Sequence, residues 1–297
     1  MHWQIFLQNV FGGIETGSLY ALAALGVVLI YRVSDVTNFA QGEMAMFSTF
    51  VTYTIWVYSA NAGFPYPYVA AFIGALIFSA IFGFLVERVF IRPTSDSSLL
   101  GKMIVTLGLI LIVNGSAGAI FGTDSYYMRR AISGHIRVGN MIIRPHSFFV
   151  IGLAIVIMLV LFYMIKFTMF GVAIRATAQN DKVAKLMGVP TKKVTAFTWI
   201  MATMMGAIAG LMIAPATNVY TGMMADVHLK SFIAAVLGGF TSFVGPVVGG
   251  LMIGILDNLV GYYISTNWQT VIVYGFLIII LIFKPYGLFG EIPKKKV

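Results

Sequence analysis

What most constrains this chain is a series of apolar runs, each about the length that carries a helix across a bilayer. They fall at 9–30, 39–59, 68–86, 99–121, 147–165, 194–215 and 268–283. In hydrocarbon a segment must satisfy its own backbone N–H and C=O groups, and a helix does so internally. A further segment, 229–263, is too long for one crossing and too rich in glycine for a plain one. Gly238-Gly239 and Gly245-Pro246 punctuate it, and glycine and proline there end one helix and open another. It reads as two half-helices or a re-entrant hairpin. The expected fold is all-α and integral to the membrane, with about eight transmembrane helices including the broken hairpin. No soluble domain or linker is evident, so 1–297 is a single polytopic domain.

Composition agrees. Hydrophobic residues make up 59% of the chain and charged ones 10%, against about 25% charged in a soluble domain. There is no cysteine, which excludes disulfides, thiolate metal sites and thiol nucleophiles. A net charge of +9 could suit nucleic acid, but in so apolar a chain it suits basic loops lying against an anionic leaflet. Residues 1–8 carry no basic stretch and no small-residue cleavage site, so no cleaved signal peptide is expected.

Basic residues set the expected orientation. Arg32, Arg88, Arg92, Lys102, the six in 166–193, Lys284 and Lys294-Lys295-Lys296 share one side and hold most of the 19. That side should be the cytoplasm, with the C-terminus and the 169–193 loop on it. Arg129, Arg130, Arg137 and Arg144 lie in 122–145, a loop long enough to fold as a small external cap.

Acids within membrane segments are functional candidates by default. Glu43, with Asn38 and Gln41, opens the second run; an irregular backbone at Gly42 would expose amides to a substrate carboxylate. The plainer alternative is an acid favoured by a helix N-terminus. Asn114, in mid-run, reads as a hydrogen bond to a neighbouring helix or as a ligand contact. Glu15 is expected to snorkel into headgroups. Asp257 comes late in its helix, where the dipole opposes it, and needs a partner. Lys230 and Asp257 lie 13 and 14 residues either side of Phe243. At about 1.5 Å per residue they share a depth and are expected to form an ion pair. The alternative has Lys230 snorkelling and Asp257 bonded to an asparagine or water.

Gly13/Gly17, Gly118/Gly122, Gly206/Gly210, Gly245/Gly249 and Gly250/Gly254 have the spacing of close helix packing. His2, His135, His146 and His228 show no metal-ligand spacing and read as loop residues. No catalytic set is present, and no phosphate-binding loop.

The loop 169–193 is basic and punctuated like a short helix. Asn180 or Asp181 caps it, Gly188 suits its left-handed end, and Pro190 enters the first turn of the next helix. It suits either a soluble partner or lipid headgroups. Here a family resemblance appears. Phe170-Gly171-Val172-Ala173-Ile174-Arg175-Ala176 and Val183-Ala184-Lys185-Leu186-Met187-Gly188-Val189 resemble the coupling loop of ABC-importer permeases, most closely the branched-chain amino acid (LivH-type) family. Gly17-Ser18-Leu19-Tyr20-Ala21-Leu22, Asn38-Phe39-Ala40-Gln41-Gly42-Glu43 and Glu87-Arg88-Val89-Phe90-Ile91-Arg92-Pro93 resemble further motifs of that family in order. So does Ala234-Ala235-Val236-Leu237-Gly238-Gly239 with Gly245-Pro246.

The resemblance implies a non-enzymatic permease subunit that binds no cofactor itself. ATP and magnesium would sit on two cytoplasmic ATPase subunits. A second permease, an external binding protein and membrane lipid complete its partners, and no nucleic acid is among them. Asn38, Gln41, Gly42, Glu43, Asn114, Gly238 and Gly239 would line the substrate pathway of this inner-membrane protein. Arg175, Asp181, Ala184, Leu186, Met187 and Gly188 would couple it to the ATPase. The alternatives are an ion-driven secondary transporter, which would want more clustered carboxylates, and an ABC permease for another amino acid or an amide such as urea.

Overall fold

The computed structural model describes residues 2–94, 97–138 and 141–290. The expected basic tail, Lys294 to Lys296, lies outside them. The protein is an all-α membrane protein. Its helices are α1 (His2–Ser34), α2 (Gln41–Asn61), α3 (Pro67–Val86), α4 (Leu99–Phe121), α5 (Pro145–Phe167), α6 (Met169–Gln179), α7 (Asp181–Leu186), α8 (Thr191–Thr217), α9 (Ala225–Gly238), α10 (Gly245–Tyr263) and α11 (Gln269–Phe283). A wider turn at Glu87–Ile91 and a tighter one at Arg92–Thr94 prolong α3.

Among the described residues seven helical stretches are long and apolar enough to cross a bilayer. They contain α1, α3, α4, α5, α8, α10 and α11. The two remaining long segments explain the difference from the count read off the sequence. Helix α2 has 21 residues, but Gln41, Glu43, Ser48, Thr49, Thr52 and Thr54 dilute its apolar character. The Ser and Thr hydroxyls bond back to carbonyls four residues earlier, which lets them sit in an apolar setting. Helix α9 has only 14 residues, about 21 Å at 1.5 Å each, and is too short to span alone.

Helix α1 is the centre of the bundle. From Leu19 to Ile30 its hydrophobic side chains are almost wholly enclosed, packed by α5, α8, α9 and α10. The closest crossing is with α10. A Cβ on Gly13 or Gly17 would meet the α10 backbone, and one on Gly250 or Gly254 would meet that of α1. Gly206 and Gly210 of α8 admit Ala45 and Thr49 of α2 in the same way. Gly118 does not behave so: a Cβ there meets open space, and Gly122 instead ends α4 at φ 83°. The outer faces of α4, α5 and α11 carry exposed Leu111, Leu159, Ile278 and Ile282, an apolar surface a water-soluble protein could not leave bare.

The segment 229–263 does break at the glycines. Helix α9 ends at Gly238, Gly239 takes φ 97°, and α10 opens at Gly245-Pro246. The two helices pack antiparallel, with Gly238 against Gly245 and Gly249 against Ala234. The 122–145 loop forms a two-stranded ribbon, β1 (Ile136–Val138) and β2 (Met141–Ile143), paired antiparallel. Nearby, Tyr126 bridges to Val219, tying that loop to the end of α8.

Candidate functional site

The N-termini of two helices, α2 and α9, meet at one junction. After α1 the chain leaves helical geometry over 35–40, with Asp35 at φ 51°, and α2 starts only at Gln41. Asn38 is buried and ends this irregular stretch: its Oδ1 accepts from the Ala40 N–H at 3.1 Å. The irregularity thus precedes Gly42, which is helical and has the His228 side chain of α9 where a Cβ would sit. Asn114 of α4 joins the pieces. Its Nδ2 donates to Glu43 Oε2 at 2.9 Å and to the Thr221 carbonyl, just before α9, at 3.1 Å. The positive ends of α2 and α9 therefore lie together at a junction of Glu43, Asn114, Thr221 and His228.

Not every expected pathway residue is there. Gln41 turns the other way: its Nε2 donates to the Ala23 carbonyl of α1 at 3.4 Å, and its Oε1 is enclosed without a partner. Gly238 and Gly239 are at the far end of α9, where Gly238 packs on Gly245 and Gly239 on Tyr286 and Gly290. They are packing and turn residues. His228 and Thr221 were missed by sequence reasoning. His228 was expected in a loop, yet it lies on α9; His146 likewise lies on α5, buried. Glu15 accepts from Ser147 Oγ, in the first turn of α5, at 2.6 Å. Among the described residues no histidine and acid cluster could hold a metal.

Beyond Glu43 along α2 stands an aromatic layer. Phe50 stacks on Phe121 at 4.9 Å between centroids, Phe47 meets Phe121 edge-on at 5.5 Å, and Tyr53 lies 5.3 Å from Tyr126. On its other side opens a cleft of ≈ 420 Å³ lined by Tyr53, Val57, Tyr58 and Ile120.

Lys230 and Asp257 are 2.9 Å apart, Nζ to Oδ2, and both are buried. Lys230 Nζ also lies 2.7 Å from Asp226 Oδ2, four residues earlier on α9. Tyr20 OH donates to Asp257 Oδ2 at 3.4 Å, and Asp257 Oδ1 is enclosed without a partner. The i,i+4 spacing of Asp226 and Lys230 was a legible signal; Tyr20 had none.

At the end of the molecule where α1 finishes, α6 and α7 form an elbow. Thr168 caps α6 by accepting from the Gly171 N–H, and Asn180 caps α7 by accepting from Lys182 and Val183. Gly188 follows α7 at φ 83°, a conformation only glycine adopts cheaply. Pro190 precedes α8 rather than entering its first turn, because its carbonyl accepts the first helical bonds. Ala184 is buried and braces the elbow from within, and exposed Arg175 ties it to the end of α5 by donating from Nη1 to the Ile165 carbonyl. Leu186 and Met187, 86% and 79% exposed, with Val183 beside them, form a bare apolar knob. Burial raises the Asp181 carboxyl, but hydrogen bonds with Lys185 and Thr191 and the Lys185 and Lys102 charges outweigh it and hold it below its ordinary value.

Comparison with known proteins gives this arrangement a context. Residues 9–282 match the family described as branched-chain amino acid transport system / permease component. The chain is 32% identical to the high-affinity branched-chain amino acid transport system permease protein LivH of Salmonella typhimurium, over 98% of each chain. It is 28% identical to BraD of Pseudomonas aeruginosa, the permease protein of another such system, again over 98% of each. It is also 27% identical, over 78% of its length and 70% of the relative's, to the fructose import permease protein FruG of Bifidobacterium longum.

Proposed function

The chain belongs to the branched-chain amino acid transport permease family, and from that premise we propose that it is the membrane subunit of an ATP-driven importer for branched-chain amino acids. The observation that supports this reading is the meeting of the α2 and α9 N-termini around Glu43 and Asn114. A zwitterion fits such a space: helix N-termini favour its carboxylate and Glu43 its ammonium group. The aromatic layer of Phe47, Phe50 and Phe121 stands between this junction and the 420 Å³ cleft and offers an apolar face to a branched side chain. In this reading the cleft opens outside, where a binding protein delivers substrate, and the α6–α7 elbow lies in the cytoplasm.

The phosphate-binding machinery is absent from the sequence, so ATP and magnesium act on partner subunits. The test is reconstitution into liposomes with and without two ATPase subunits, a second permease and the binding protein. Leucine uptake is expected only with the full set and ATP. Uptake by this chain alone under an ion gradient would replace the reading with a secondary transporter. In the full set, Glu43→Ala is expected to lower uptake at least tenfold, since losing a charge-assisted contact costs about 1.5–3 kcal/mol.

The bare knob of α7 is the proposed contact with the ATPase. Buried Ala184 and the Arg175 bond to the Ile165 carbonyl position it, and Leu186 and Met187 insert. The chain has no cysteine, so single cysteines at 186 and 187 report cleanly. They are expected to crosslink to an ATPase subunit and to react with an impermeant thiol reagent only from the cytoplasmic side. Labelling from outside would reverse the orientation and remove the contact.

A further inference from the structure

Beneath the elbow lies a cavity of ≈ 200 Å³, walled by the end of α1, the turn after α3, and α4, α6, α7 and α8. Liquid water takes about 30 Å³ per molecule, so the space holds several waters or one small solute. Its lining has three kinds of chemistry. Val33, Val36 and Ile91 make an aliphatic wall. Hydroxyls of Ser34, Thr177, Thr191 and Thr195 and a set of cations and acids make the rest, and part of the charges are already matched: Arg92 grips Glu87 through two bonds of 3.1 and 2.8 Å, and Lys185 lies 2.8 Å from Asp181. Lys102 and Lys192 line the same walls and take no part in either pair. Ser34, also in the lining, has an enclosed hydroxyl with no hydrogen-bond partner among the described residues. A buried polar group left unmatched needs a water or a ligand to explain it.

We propose that this cavity binds a free α-amino acid with a small aliphatic side chain, reached from the α7 side of the membrane, and that occupancy holds the α6–α7 elbow against the bundle. The mixed lining is what selects this class. A carboxylate finds Lys102 and Lys192, and the Ser34 hydroxyl once its χ1 turns it into the cavity. An ammonium group finds carboxylate oxygens of Glu87 and Asp181, each able to accept beyond its present bonds. An aliphatic side chain finds Val33, Val36 and Ile91. A phosphate dianion would meet the cations but also the acids, which a zwitterion turns to use. The inference rests on the permease reading, because it makes the imported solute a regulator of its own import: filling the space under α7 opposes the movement that would couple it to ATP hydrolysis.

The experiment uses the assembled transporter in nanodiscs without binding protein, and L-leucine as the probe. Saturable equilibrium binding is expected, weakened about 10- to 100-fold by Lys102→Met through loss of one charge-assisted bond. Ser34→Val should weaken it less, and the binding that Lys102→Met removes should persist in Glu43→Gln, which disables only the separate pathway site. ATPase activity should fall as leucine is added, and fall less in Lys102→Met. Import by the Lys102→Met transporter with binding protein present shows that the variant is folded. No saturable binding by a preparation that imports leucine would overturn the site, as would binding lost in Glu43→Gln but kept in Lys102→Met. Binding of inorganic phosphate in place of leucine would overturn it too. Binding with the expected mutational pattern but no import by the complete wild-type system would uphold the site and sink the transport reading instead.

Discussion

Lys230→Met is expected to abolish assembly of the transporter, and Asp257→Leu to impair it far less. The inequality follows from the third member of the cluster. Lys230 Nζ is held by both Asp226 and Asp257, at 2.7 and 2.9 Å. Removing the lysine leaves a buried carboxylate beside a second acid, and an unpaired buried charge costs about 3–5 kcal/mol. Removing Asp257 leaves the ammonium its Asp226 partner and also removes the unmatched Oδ1. The exchange Lys230→Asp with Asp257→Lys should recover only part of the loss, because it places two aspartates four residues apart on α9. Adding Asp226→Asn should improve that exchanged pair. Membrane levels and leucine uptake of the four variants check this. If Asp257→Leu proves as harmful as Lys230→Met, Asp226 does not share the lysine.

Gly254→Val is the second large effect. The added carbons would overlap the backbone of Gly13 and Gly17 on α1. A flexible side chain could step aside, but backbone cannot, so the whole α1–α10 crossing must open. Overpacking of yielding sites costs about 1–3 kcal/mol; here the expected cost exceeds about 3 kcal/mol, and the variant should not accumulate in membranes. Gly152→Ala, where a Cβ meets nothing within 4 Å, should leave the level and thermal midpoint unchanged. A Gly254→Val protein with a wild-type melting curve would mean that α1 and α10 are not in this contact.

What the sequence made legible was what short stretches encode by themselves. Gly238-Gly239 and Gly245-Pro246 announce the break, Asn180 the cap of α7, and Gly188 the left-handed turn after it. The shared depth of Lys230 and Asp257 needed only a turn position and the rise of a helix. The meeting of Glu43, Asn114 and Thr221 needed more, since 71 and 107 residues separate Asn114 from its partners. No local pattern states which helices will be neighbours. For the same reason Gln41 and Glu43, two residues apart, could not be assigned to opposite faces with their separate partners. Gly118 has the spacing of a packing glycine and no helix beside it, because spacing marks an opportunity that tertiary structure need not take.

The enclosure of α1 also bears on how the protein is made. Helix α1 is synthesised well before the helices that cover it most closely, α8 and α10, which are encoded after residue 190. At about 5–20 residues per second, α1 waits about 10–50 s for α10 after it has left the ribosome. Through that interval its glycine groove at Gly13 and Gly17 is open to lipid or to any other small-residue helix in the membrane. The nascent chain therefore passes through a stage in which its most precisely fitted surface is its least protected one. A stall before Tyr263 would leave a membrane-inserted fragment with a vacant groove, and such a fragment is a natural substrate for membrane quality control.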